Sequence, residues 1–595
     1  MREFEVPASF SIPEDISMAD TVFRLEKESP QHVPFKRLVN GSWVDVTAAE
    51  FATQVKGVAK GLMASGIALG DRVAILSATR YEWVVLDYAI WTAGGCTVAI
   101  YETSSADQAQ WILEDSATSV LVVETAKHAA TVKDVAEAAP ALREMLQIEA
   151  GALDELTARG SAITDEELHE RRGQVNASSP ATLIYTSGTT GRPKGVQLTH
   201  SNFYAESKAV KIALDDAMYE GQSTLMFLPL AHVFARAISF GAFDNKVTVG
   251  HTADISTLLE QFAAFKPNFI LSVPRVFEKV YNSAKQKAED GGKGKIFAKA
   301  ADTAIAWSEA KDTGGAGLGL KLKHALFDKL VYGKLRAALG GECDRAVSGG
   351  AALGARLGHF FRGIGLPIYE GYGLTETSAA ITVNTTNAQK VGSVGKPING
   401  HAAKIAEDGE LLVKGPVVFN GYWHNDAATA DSIRDGWFHT GDLGSIDSEG
   451  FVSITGRKKE IIVTAGGKNV APAVLEDALR AHALISQCLV VGDAKPFIGA
   501  LITIDPEALP GWLERNGIAA DIAISEIVKH PDLVAEIDAA VAEGNKKVSN
   551  PEQIKKYRIL DVDFTVETGE LTPTLKLKRN IIHQEFATAI EAIYT

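Results

Sequence analysis

The chain predicts an α/β protein of two or more domains, and three observations carry that prediction. Its 595 residues exceed what one hydrophobic core organises. Over its first two thirds, short apolar strands alternate with helical patterns, as in a parallel sheet with crossover helices. After about residue 390 that alternation gives way to short strands separated by Gly, Asp and Asn. These suggest a small β-barrel or layered sheet, and a compact α+β segment follows from Gly456.

Bulk composition narrows the function classes. Hydrophobic residues make up 46% and mean hydropathy is +0.02, the balance of a globular protein. A formal net charge of −15 excludes a general nucleic-acid binder, which needs a basic excess to displace counterions. A local cationic pocket for one nucleotide is compatible with it. The three cysteines, Cys96, Cys343 and Cys488, lie too far apart for a disulfide framework or a metal knuckle. A reducing cytoplasm is the simplest setting. The N-terminus shows no basic region followed by an apolar run, so no signal peptide is predicted. The apolar stretch beginning at Tyr88 carries Gly94, Gly95 and Thr97, and its β-branched centre suits a strand better than a membrane span. Peripheral membrane contact and a homodimer stay open.

The elements follow in order. Phe35 to Val39 and Ser42 to Thr47 flank Asn40-Gly41, a two-residue hairpin signal. Thr47-Ala-Ala-Glu50 reads as a capping box for a helix through Phe51, Val55, Val58 and Leu62, with Gly66 placed for a left-handed cap. Strands at Arg72 to Leu76, Thr97 to Ile100 and Ser119 to Val123 alternate with helices at Tyr81 to Trp91 and Asp107 to Glu114. Positions 150–180 read as surface helix and loop. Thr182 to Tyr185 is a buried strand. The alternation resumes at Thr224 to Pro229, Lys246 to Val249 and Phe269 to Val273, with a helix starting at Pro274. Residues 285–345 read as mostly helical around a glycine-rich loop at 314–319, and Arg345 to Tyr369 as strand-helix-strand. Later strands are expected at Glu410 to Lys414, Gly436 to Thr440 and Phe451 to Thr455. Pro472 to His482 should form an amphipathic helix, and Gln487 to Val491 should pair with Ile498 to Asp505. The domain boundary is expected at 455/456.

The strand ending at Tyr185 runs into Thr186-Ser187-Gly188-Thr189-Thr190-Gly191, followed by Arg192, Lys194 and Gly195. Hydroxyls, cations and glycines that let backbone N–H groups approach an anion are what a polyphosphate requires. No Gly-Lys-Ser/Thr follows a four-residue spacer, so this is not a Walker loop. The same residues would also suit a polar hairpin turn. A second cluster, Tyr369-Glu-Gly-Tyr-Gly-Leu-Thr-Glu-Thr-Ser378, offers Tyr372 as a purine platform between Gly371 and Gly373. Thr375 is a phosphate donor or a helix cap, and Glu376 is a hard oxygen ligand suited to Mg²⁺. Ser348-Gly349-Gly350 follows a strand, where open α/β sheets bind ligands.

The loop from Thr186 to Lys194 resembles the signature of the adenylate-forming superfamily, which includes acyl-CoA synthetases, luciferases and peptide-synthetase adenylation domains. The likeness covers essentially the whole chain, with the motifs in family order. It implies a large N-terminal domain (1–455) of layered αβαβα sheets plus a small β-barrel, and a small mobile C-terminal domain (456–595). It implies that Tyr372, Thr375 and Glu376 close the adenine pocket and bind magnesium, and that Ser348 to Gly350 line the adenine and acyl sites. By the same resemblance Asp442 holds the ribose hydroxyls, Arg457 lies near ribose and phosphate, and Lys459 is the hinge, where the family often has Asp. His232, in Leu228-Pro-Leu-Ala-His232, resembles the residue beside the carboxylate substrate. Gly466, Gly467 and Lys468 match the segment that faces the thioester channel. Lys576, in a Pro573-Thr-Leu-Lys variant of the usual Pro-Ser-Gly-Lys, matches the catalytic lysine and is preferred to Lys578. Ser272 to Tyr281 resembles long-chain members. The resemblance therefore implies a ligase that uses ATP, Mg²⁺, CoA and a long-chain fatty acid. A fatty acyl-AMP ligase serving a carrier protein, and a silent acyl- or nucleotide-binding scaffold, are the alternatives.

Overall fold

The computed structural model describes residues 1–186, 192–572 and 575–595. The expected local signals form as read. Asn40 and Gly41 both take positive φ, 50° and 78°, as a type I′ turn between Phe35–Val39 and Ser42–Val46 demands. Thr47 and Glu50 close the capping box of helix Ala48–Ala64. That helix ends on Gly66 at φ 82°, where Ile67 N–H reaches the Leu62 carbonyl at 3.0 Å.

Among the described residues two large sheets carry the N-terminal region. The first has seven strands, with Pro180–Thr186, Cys96–Ile100, Arg72–Leu76, Val120–Val123 and Glu144–Gln147 parallel. Lys194–Thr199 folds back antiparallel on Pro180–Thr186, so the phosphate-loop motif connects two neighbouring strands rather than a strand and a helix. The second has nine strands, and its parallel centre runs Ile368–Tyr372, Arg345–Ser348, Phe269–Ser272, Ser223–Met226, Thr248–His251 and Phe35–Val39. Strand alternation gives the first sheet two apolar faces. Val73 and Ile75 join the core shared with the second sheet, whereas Ala74 and Leu76 join a separate cluster on the far side.

The small barrel-like layer is an open antiparallel sheet of six strands, including Ala402–Ile405, Glu410–Lys414, Trp437–Ile446 and Val452–Arg457. Glu3–Glu5 adds an edge strand by pairing with Ala402–Ile405 across nearly four hundred residues, a contact with no local sequence signal. Beyond it, Ile485–Val491 and Ile498–Ile504 pair antiparallel and Ile554–Ile559 adds in parallel. Their apolar faces fill clusters distinct from the N-terminal core. The glycine-rich connection expected at 314–319 is shorter than read, because helix Leu318–Phe327 already begins at Leu318.

A buried polar cluster lies inside the layers. Helix Tyr81–Thr92 is buried on every side, and its Asp87 carboxylate accepts from Arg236 Nε at 2.8 Å and Thr97 Oγ1 at 2.7 Å. Arg236 Nη1 also donates to Thr182 Oγ1 at 2.6 Å. Trp83, Trp91 and Phe203 surround the guanidinium at 5.2–5.4 Å. The pair therefore ties helix Val233–Asp244 to the strand that leads into the phosphate-loop motif.

Candidate active site

The C-terminal ends of the parallel strands, the antiparallel layer and a C-terminal loop meet at a cavity of about 880 Å³. Thr186, Lys194, His232, Gly349, Gly350, Gly371, Tyr372, Gly373, Thr375, Glu376, Arg457, Lys459 and Lys576 all line it. Residues from 186 to 576 are thus brought together by tertiary folding. Ser348 is wholly buried beside the wall, which Val347, Gly349 and Gly350 form. Gly466, Gly467 and Lys468 are not on the wall. They form the exposed turn between Ile462–Val463 and Asn469–Val470, and Lys468 pairs with Glu552 at 3.4 Å. Ser187, Gly188, Thr189, Thr190 and Gly191 lie outside the described residues.

The segments flanking that loop are firmly anchored. Tyr185 OH donates to Asp115 Oδ2 at 2.6 Å, and Trp111 Nε1 donates to the Pro193 carbonyl at 2.8 Å. Arg192 stacks on Trp111 at 4.6 Å, and the Lys194 ammonium lies 5.0 Å from the Tyr422 ring centre.

Strand Ile368–Tyr372 delivers the second motif and a 3₁₀ turn, Thr375–Thr377, follows it. Gly373 is dictated by packing, since a Cβ there would sit 1.4 Å from the Ala379 carbonyl oxygen. Tyr372 OH donates to Asp442 Oδ2 at 2.6 Å, and Asp442 Oδ1 accepts from Arg457 Nε at 2.9 Å. Asp442 stands just behind a wall made by Thr440 and Gly441. Burial first, and Asp442 second, hold the Tyr372 phenol well above its ordinary value, so it remains a donor. Glu376 Oε1 accepts from Tyr422 OH at 2.8 Å, and no cation pairs with the carboxylate among the described residues. No group of three or more His, Cys, Asp or Glu forms a protein-only metal cage among the described residues. A cavity-facing carboxylate that no described cation pairs with fits Mg²⁺, which takes one or two carboxylates and completes its shell with phosphate and water.

His232 caps helix Val233–Asp244, its Nδ1 accepting from Phe234 N–H at 3.2 Å. The hydrogen therefore sits on Nε2. Burial and the nearby Lys576 charge push His232 down to about 3, so it is a neutral donor at physiological pH. Lys576 is exposed and borders the cavity. Burial and Arg457 push it below its ordinary value, and Asp442, Glu460 and Glu376 pull it back up. Hydrogen bonds tie down the described residues around it. Lys576 N–H donates to Thr572 Oγ1 at 3.0 Å, and Arg579 forks onto Glu476 at 2.8 and 2.6 Å.

Residues 25–423 match the AMP-binding enzyme family and residues 459–595 match the AMP-binding enzyme C-terminal domain. The chain belongs to the AMP-binding enzyme family. It is 59% identical over 597 residues to the long-chain-fatty-acid–CoA ligase FadD15 of Mycobacterium bovis, covering 100% of both chains. It is 32% identical to the long-chain-fatty-acid–CoA ligase ACSBG2 of Gallus gallus, over 93% of this chain and 78% of that one. Its adenylate-forming fold is shared with the anthranilate CoA ligase AuaEII in complex with anthranoyl-AMP. That match has a TM-score of 0.74 at 18% identity, over 97% of this chain and 99% of that one. O-succinylbenzoate CoA synthetase from Bacillus subtilis, in complex with ATP and magnesium ion, matches at TM-score 0.68 and 22% identity over 96% and 99%.

Most of the residues singled out in the sequence line this cavity. Tyr422 and Glu206, both on its wall, carried no signal in the sequence. Tyr422 is the end of a two-residue strand paired with Lys194–Thr199, and Glu206 lies inside an otherwise ordinary helix, His200–Ala213.

Proposed function

We propose that the chain is a long-chain fatty acid–CoA ligase. One observation carries the reading: the cavity joins a charged end, bearing Lys194, Glu376, Arg457 and Lys576, to an apolar wall. That wall includes Val210, Leu214, Phe234, Ile238, Ala379 and Val383. Its chemistry suits a carboxylate head beside a polyphosphate and an alkyl tail. The whole-length similarity to FadD15 supports the same reading.

In the first half-reaction a carboxylate oxygen attacks the α-phosphorus of ATP, forming acyl-adenylate and releasing pyrophosphate. Two anions must approach, and their repulsion in a dry cavity amounts to several kcal/mol. Lys576 and Arg457 offset it near the α-phosphate, Lys194 offsets it near the leaving phosphates, and His232 Nε2–H orients the carboxylate. Glu376 would hold Mg²⁺, which supplies charge neutralisation of the phosphates when bound. In the second half-reaction the CoA sulfur attacks the acyl carbonyl and AMP leaves. The division at 455/456, with Lys459 as pivot, belongs to this reading and is supported by the separate apolar clusters on either side. Rotation there would withdraw Lys576 and bring Gly466 to Lys468 to the acyl carbonyl.

Pyrophosphate release from ATP is expected only with a long-chain acid, and acyl-CoA is expected as the product. Parallel assays over short, medium and long acids, with CoA or an acyl carrier protein as acceptor, test this. Pyrophosphate with acyl-carrier product alone would favour the acyl-AMP ligase. Binding of ATP and fatty acid without pyrophosphate would favour a silent scaffold.

Peripheral contact with an anionic lipid surface is also part of this reading. No helix among the described residues is long and apolar enough to cross a membrane. Leu318, Leu322, Leu326 and Leu330, spaced by four, are 80%, 74%, 56% and 50% exposed. Exposed Lys321, Lys323, Lys329 and Lys334 flank them, unpaired with any carboxylate among the described residues. A leucine ridge bordered by free lysines suits anionic headgroups. The same face on a second copy would oppose lysine with lysine. A Leu322→Glu/Leu326→Glu variant is expected to lose at least about tenfold in affinity for phosphatidylglycerol vesicles by co-sedimentation, with its fold intact. Unchanged vesicle binding, or a dimer abolished by the same variant, would overturn the lipid assignment.

A further inference from the structure

The apolar wall of the cavity contains a carboxyl group that the ligase chemistry does not use. Glu206, on helix His200–Ala213, is 1% exposed and lines the cavity. Its Oε1 accepts from the Ala380 N–H at 2.9 Å, whereas Oε2 has no hydrogen-bond partner among the described residues. Around it the wall is apolar: Val210 on its own helix, Leu214 just past that helix's end, Ile238 on the facing helix, and Ala379 and Val383 beyond the Tyr372 motif.

No cation among the described residues compensates this carboxyl. Burial holds it well above the usual carboxylate range, opposed only by the Ala380 N–H. Burial without a compensating charge therefore favours the protonated, neutral form of Glu206. With Oε1 occupied as an acceptor, the O–H of that form resides on Oε2, a donor buried in the apolar wall with no acceptor among the described residues. Buried polar groups of this kind are normally satisfied, and one that is not is expected to await a ligand atom.

We infer that Glu206 forms a polar subsite within the acyl part of the cavity, specific for a fatty acid bearing an oxygen acceptor (hydroxyl, keto or epoxide) part-way along its chain. This rests on the ligase reading above and adds a substrate preference to it. A plain alkyl chain leaves the Oε2–H unsatisfied, whereas an oxygenated chain pairs it. Sites built to hydrogen-bond a substrate oxygen discriminate against analogues that lack it. The hydrogen bond to Ala380 is a structural role that the same side chain also plays, so the test must separate the two.

The experiment measures displacement of a fluorescent fatty acid, alongside pyrophosphate release, for a saturated acid and its positional hydroxy isomers. It compares the protein with Glu206→Gln and Glu206→Leu variants. Glutamine keeps an acceptor for Ala380 and a donor toward the chain, whereas leucine removes both. One hydroxy isomer is expected to bind at least about tenfold tighter than the parent acid to the protein and to Glu206→Gln. That ratio is expected to collapse to near unity in Glu206→Leu. A ratio near unity in all three proteins, or one that survives in Glu206→Leu, overturns the subsite. Tight, Glu206-dependent binding without pyrophosphate release would instead overturn the ligase reading and leave the subsite standing. No binding of any fatty acid overturns both.

Discussion

Lys576→Ala is expected to lower pyrophosphate release by about 10²–10³-fold, the cost of removing one charge-stabilising donor from an active site. Arg457, Asp442, Glu460 and Glu376 all act on its charge at the charged end of the cavity. Thioester formation from supplied acyl-adenylate should be largely spared, because that half-reaction no longer needs charge at the α-phosphate. Separate assays of the two half-reactions check this, and equal loss in both would sink the assignment. Lys578→Ala is the internal control. Lys578 is not on the cavity wall, and its N–H donates to the Glu570 carbonyl at 2.8 Å, a bond that substitution by alanine retains. A comparable loss there would mean that the basic cluster acts as a whole.

The second large effect is on stability. Arg236→Ala is expected to destabilise the protein by about 3–5 kcal/mol, because it strands the Asp87 carboxylate in the layer interface. Arg236 and Asp87 are 2% and 5% exposed, so water cannot take over the lost contacts. Urea denaturation followed by tryptophan fluorescence reads this directly, since Trp83 and Trp91 border the guanidinium. Replacing both partners with apolar residues, as in Asp87→Leu/Arg236→Met, should recover much of the loss. A buried pair costs more to break than to replace. A double variant no better than Arg236→Ala would show that the Thr182 and Thr97 contacts, rather than charge, dominate.

Local elements were legible wherever their cause is contiguous. Asn40-Gly41 sets a turn through two positive φ values, and Thr47 to Glu50 closes a cap within one helical turn. The same holds for the alternation of strand and helix that builds both large sheets. Edges and partners were less legible. Glu3–Glu5 pairs with Ala402–Ile405, and Gly421–Tyr422 edges the sheet beside Lys194–Thr199, through backbone contacts that no local pattern encodes. Leu318 began a helix earlier than its glycines suggested, because a single turn of Leu and Lys outweighs flanking Gly.

At the site the division is similar. The phosphate-loop motif, Tyr369 to Ser378 and the Lys576 segment are contiguous stretches whose residue types match the chemistry of a polyphosphate and a carboxylate. By itself, then, the sequence determined the α/β class, the AMP-binding family and the residues available for adenylation. Only the tertiary structure decided which of them share a cavity. It set Lys576 on the wall and Gly466 to Lys468 on an exposed turn, and it stationed Asp442 behind Thr440 and Gly441. It also buried Glu206 in the apolar wall and joined Asp87 to Arg236 across 149 residues. The physical reason is range. Turns and caps are settled by neighbours within a few residues, whereas burial, charge pairing and the shape of a cavity are settled by groups that meet only once the sheets have packed.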